Sequence, residues 1–118
     1  MATATAVRTA TFQLANRTVT ITPADLDGIR SVSADAIHAS DRTDRDQLAS
    51  ELTVATADID QSGIPRVGRW ILEARDGNLA LVRHPARGPV MHFILVQLRR
   101  DAGRWSATGI DDERVTAR

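Results

Sequence analysis

Val90-Met91-His92-Phe93-Ile94-Leu95-Val96-Gln97-Leu98 is the stretch on which the fold turns. Seven of these nine residues are apolar, and they fall on both parities of the run. Turn-forming residues bound it, Ala86-Arg87-Gly88-Pro89 before and Asp101-Ala102-Gly103 after. A strand with one solvated face alternates apolar and polar residues, whereas a strand covered on both faces reads as a short continuous apolar run. The pattern predicts a central strand with something packed on each side.

Working outward, the other strands follow from turns. Asp76-Gly77 between Val67–Arg75 and Leu79–His84 is a strong hairpin signal, and Asp101-Ala102-Gly103 reads as a three-residue turn returning through Arg104–Ile110. These segments make a four-stranded antiparallel meander. Upstream, Phe12 and Leu14 alternate with polar residues, as do Val19 and Ile21; a turn at Asn16-Arg17 would join them into an N-terminal β-hairpin. Between hairpin and meander lie two helices. Thr22-Pro23-Ala24-Asp25 is a helix start followed by Leu26, Ile29 and Ile37, with residues 31–39 open to an irregular alternative. Thr43 starts the second, whose stripe of Leu48, Leu52 and Ala55 runs to about residue 58. The expected fold is α+β, one domain over 1–118 with the helices on one face of the meander. Residues 1–7 are expected to extend the first strand or fray, and 111–118 to fray.

Turn-set registers sort the side chains by face. Ile71 opposes Val82, Val82 opposes His92, and His92 opposes Asp112 if each turn closes as read. One face then carries Trp70, Leu72, Leu79, Leu81, Met91, Phe93, Leu95 and Trp105, under the helices. The other carries Ile71, Val82, Ile94, Val96 and Ile110, interrupted by His84, His92 and Asp112. A face so apolar calls for a cover, either the N-terminal hairpin or a second subunit, and a homodimer through Ile71, Val82, Ile94, Val96 and Ile110 is the economical one. On the same face His84, His92 and Asp112 would converge as metal or small-ligand candidates or an oriented base, against the plainer role of half-buried histidines satisfied by carboxylates.

Composition removes several chemistries. There is no Cys, so disulfides, thiolate catalysis and Cys-ligated metals are excluded, and every basic residue is Arg, so no lysine Schiff base forms. Arg without Lys, Asp over Glu and abundant Ala suit a GC-rich bacterial coding sequence. The 15 basic and 15 acidic residues cancel, which argues against a polyanion partner. Trp70 and Trp105 beside Arg69, Arg99, Arg100 and Arg104 are accordingly read as core residues with an arginine rim, not base-stacking platforms. Asp58-Ile59-Asp60-Gln61-Ser62-Gly63 copies half a calcium loop, but Pro65 interrupts it and Arg69 stands where a closing Glu belongs; it reads as a helix exit and turn. No leader, no membrane span and no cofactor are expected, and the cytoplasm is the default compartment.

The closing segment Phe93-Ile94-Leu95-Val96 and Asp101-Ala102-Gly103-Arg104-Trp105-Ser106-Ala107-Thr108-Gly109-Ile110 resembles the last hairpin of the NTF2-like (cystatin-like) α+β superfamily, in which a long strand turns through Gly and returns with a Trp. The resemblance covers about a quarter of the chain and transfers no catalytic residue. It implies a curved sheet forming a cup, and dimers made through the sheet. The N-terminal hairpin departs from that family's helical start. The functional expectation is a non-enzymatic binding or accessory protein that self-associates through a sheet face or edge and acts by protein–protein contact. The alternative is a small-ligand cup, metal- or His-dependent, using His84, His92 and Asp112.

Overall fold

Thr22 and Asp25 begin the first helix by satisfying each other's backbone. In the computed structural model, which describes residues 8–85 and 90–116, the Asp25 N–H donates to the Thr22 hydroxyl at 3.1 Å and the Thr22 N–H donates to the Asp25 carboxylate at 2.9 Å. With Pro23 at the first helical position, this reciprocal cap opens α1 (Pro23–Ala39). Its buried stripe of Leu26, Ile29, Ser33, Ala34 and Ile37 reaches the last turn, so 31–39 is helix throughout. The second helix, α2 (Arg45–Val54), buries Leu48, Ala49 and Leu52. Its N-cap is Asp44 rather than Thr43, and α2 stops short of residue 58 because the next residues join the sheet.

The fold is α+β, with one sheet larger than expected. The hairpin of β1 (Ala10–Leu14) and β2 (Arg17–Ile21) forms a two-stranded sheet of its own. The main sheet has six antiparallel strands in chain order: β3 (Ala57–Ile59), β4 (Pro65–Val67), β5 (Trp70–Arg75), β6 (Asn78–Arg83), β7 (Val90–Asp101) and β8 (Arg104–Thr116). The expected four-stranded meander is therefore the larger part of a six-stranded one. Gly68, at φ 58°, breaks Val67–Arg75 into β4 and β5, a backbone angle that side chains resist. The calcium-like segment supplies β3 and then a turn, in which the Asp60 carboxylate accepts from the N–H groups of Ser62 (2.8 Å) and Ile64 (3.0 Å).

Three registers differ from the expected ones, with different consequences. Asp76-Gly77 closes β5 on β6 as read, with Ile71 opposite Val82. Between β6 and β7, however, Val82 opposes Leu95 rather than His92, and the ladder ends at Arg83 opposite Ile94. The offset from the expected register is three residues, an odd number, which turns β7 over relative to β6. Ile94, Val96 and Leu98 point to the helix side; Met91, Phe93 and Leu95 share the opposite face with Val82. Between β7 and β8 the turn is the two-residue Ala102-Gly103, both at positive φ, and Thr108 is an extra residue that shifts the pairing at Gln97/Leu98. These two irregularities add to an even offset, so parity survives: His92 opposes Arg114, and Asp112 is its diagonal neighbour on the same face. Similarly, the first hairpin turns at Ala15-Asn16, two residues off the expected register, and keeps Val19 and Ile21 buried together.

Helix α1 lies against both β8 and β3, the two ends of the sheet, so the sheet curls around it. The main core fills the hollow of that curl: the buried stripes of α1 and α2, Trp70, Leu72 and Leu81 of the sheet, and Leu14, Val19 and Ile21 of the first hairpin. The hairpin thus packs on the helix side, leaving the other face to itself. β8 continues to Thr116 because its acids are each tied down, Asp111 to Gln97 (3.1 Å), Asp112 to Arg42 (2.8 Å) and Glu113 to Arg75 (3.1 Å). The expectations for residues 1–7 and 117–118 lie outside the described residues. No helix among the described residues is long and apolar enough to cross a membrane.

Candidate functional site

His84 and His92 each find a carboxylate, on opposite faces of the sheet. On the outer face, away from the helices, the His84 Nε2 lies 3.2 Å from Glu73, and its ring meets the edge of Phe93 at 5.3 Å and 81°. Arg75 joins Glu113 (3.1 Å) and Glu73 (3.4 Å), extending the polar row. These side chains flank a small apolar cluster of Ala80, Val82 and Leu95, fully or nearly buried, with Phe93 packed against it. Its members all come from β6 and β7. Around it are the half-buried Ile71 and Met91, and Val115, which is 40% exposed and directly opposite Met91.

On the inner face the His92 Nε2 lies 2.9 Å from Asp112. Arg42, from the α1–α2 connection, binds Asp112 through Nη1 at 2.8 Å and Asp44 through Nε at 2.9 Å. The hydrogen bond from Arg42 holds the Asp112 carboxyl below its ordinary value against the opposing effect of burial, and His92 adds to it. The same guanidinium lowers Asp44, and the two carboxylates raise Arg42. This cluster ties the helix connection to the far end of β8.

Two further inner clusters position elements. Glu51 of α2 accepts from Trp70 Nε1 (3.1 Å) and from Arg83 Nε (2.9 Å) and Nη2 (3.2 Å), docking α2 on β5 and β6. Burial pushes its carboxyl up, but the Arg83 hydrogen bond and charge, with Trp70, bring the net value below normal. Asp25, besides capping α1, accepts from Trp105 Nε1 at 3.2 Å. There too burial opposes, and the Thr22, Trp105 and Arg100 interactions prevail, leaving Asp25 lowered.

No family model, curated protein or solved structure matches the chain.

The odd register of β7 decides which of the expected site residues meet. His92 and Asp112 do, as hydrogen-bonded diagonal neighbours; His84 does not join them, and among the described residues no three His, Asp or Glu side chains gather in a metal-binding group. Of the expected interface residues, Ile71 and Val82 lie on the outer face. Ile94 and Val96 are buried in the main core, and Ile110 packs against it. Phe93, Met91 and Leu95 stand where those three were expected. Arg42 and Glu51 carried no signal in sequence, since a loop arginine and a helix-surface acid resemble any solvated charge until a partner 70 or 32 residues away is known. Asp25 was legible as a cap and illegible as the partner of Trp105.

Proposed function

We propose that the protein is a non-enzymatic binding protein whose outer sheet face packs against the same face of a second copy. The observation that carries this reading is the second apolar cluster, Ala80, Val82 and Leu95 with Phe93, bordered by Met91, Ile71 and the exposed Val115. Its flanking side chains carry both signs, Glu73 and Glu113 around Arg75, so a contact between two copies is not a meeting of like charges alone. Pairing through the free edge of β8 is disfavoured, because Asp111-Asp112-Glu113 would lie against its own copy and like charges repel across strands. The resemblance of the closing hairpin to the NTF2-like superfamily supports the same arrangement, as does the sheet curled around α1. Function then lies in what the dimer presents to a protein partner.

Light scattering on a sizing column, over a range of concentrations, tests this. The expected result is twice the chain mass, falling to the single-chain mass for Val115→Asp with an unchanged circular dichroism spectrum. A wild-type monomer at every concentration overturns it.

A further inference from the structure

Where the turn of the first hairpin meets the β5–β6 turn, the fold leaves a cavity of about 450 Å³ beside β7. A second hollow of about 180 Å³ shares Arg17, Leu98 and Arg100 with it and reaches the face of Trp105. The larger one is within the range of small-molecule sites, roughly 300–1,000 Å³, but its walls are more polar than most. Three arginines (Arg17, Arg99 and Arg100) face it against one acid, Asp101. Asp101 is engaged by Arg99 at 2.8 Å, so Arg17 and Arg100 are the cations without a full counter-charge.

These two differ in a useful way. Arg100 is oriented by its surroundings: it donates to the Thr20 carbonyl at 3.4 Å and its guanidinium stacks 5.3 Å from the centre of the Trp105 ring. Its nearest acid, Asp25, is 3.9 Å away and already holds Thr22 and Trp105. Arg17 is held by its backbone in the β1–β2 ladder, and its side chain makes no hydrogen bond or ion pair among the described residues. A stacked guanidinium loses little freedom on binding, and a free one beside it can close on a ligand. Asn16 and Asn78 add amide donors to the same wall.

From this geometry we infer a binding site for a small phosphomonoester, its phosphate between Arg17 and Arg100 and its organic group toward Trp105. A phosphomonoester carries about −1.5 to −2 charge at neutral pH, which matches the unpaired Arg17 guanidinium together with an Arg100 held 3.9 Å from an acid it shares with Thr22 and Trp105, where a carboxylate brings a single charge. The site lies at the hairpin end of the fold and stands independently of the outer-face contact.

Phenyl phosphate, inorganic phosphate and chloride at matched ionic strength are the probes, followed by amide chemical shifts and Trp fluorescence. Phenyl phosphate is expected to shift Arg17, Asn78 and Arg100 saturably and to bind more tightly than inorganic phosphate. Arg17→Ala is expected to weaken it by about tenfold or more with the melting temperature unchanged, and Arg17→Lys by less. Chloride reproducing the shifts, or Arg17→Ala binding like wild type, overturns the site. Equal affinity for the two phosphates overturns the ester as ligand in favour of free phosphate.

Discussion

The two faces of the six-stranded sheet solve the same problem with different materials. The inner face is covered by two helices and a hairpin, and it buries Trp70, Leu72, Leu81 and Val96 completely or nearly so. Among the described residues the outer face buries only Ala80, Val82 and Leu95, amid paired polar side chains of the sheet itself. No second layer of the same chain covers that face among the described residues, and the second copy proposed above would supply one.

The sharpest way to break this comparison is to truncate one leucine on each face. Leu81→Ala is expected to cost about 4 kcal/mol and Leu95→Ala about 2 kcal/mol in chemical denaturation, because surroundings that can collapse into the space reduce the penalty. Equal losses would mean the polar cover packs as firmly as the helices.

Acid titration comes next, since the carboxylates that link helices to sheet, Asp25, Glu51 and Asp112, lie on the inner side. Asp25 and Asp112 lie below their ordinary 3.8, and Glu51 below its 4.5. A folded-state pKa below the unfolded value contributes stability that is present above the unfolded pKa and lost as pH falls through the folded one. The melting temperature is therefore expected to hold from neutrality to about pH 5 and to fall below about pH 4. Glu51→Gln should flatten that fall.

The smallest effect concerns Ser33, fully buried on α1 with no hydrogen-bond partner for its hydroxyl among the described residues. Ser33→Ala is expected to raise stability by up to about 1 kcal/mol, read from the denaturation midpoint. A loss instead would show that the inner face contains a polar contact beyond those named above.

The comparison also explains what was legible in the sequence. Elements with local causes were readable: the Thr22–Asp25 cap, the α1 stripe, the Asp76-Gly77 turn. The faces were not, because Val90–Leu98 is apolar on both parities and does not say which parity turns inward. That decision rests on the β6–β7 offset. Ala102 at φ 50° hid another, since a non-glycine residue there argues for a longer loop. His92 and Asp112 still met because a shortened turn and the extra Thr108 add to an even step, whereas His84 was separated by an odd one.

Asp25 divides its two oxygens between near and far. Oδ2 serves Thr22, three residues away, and Oδ1 serves Trp105, eighty residues away. The first bond can form as soon as the chain makes a helical turn; the second waits until the last strand has returned. One carboxylate thereby joins the most local event in folding to one of the most distant. The start of α1 and the start of β8 become a single cooperative unit, and fraying at either end loosens the other.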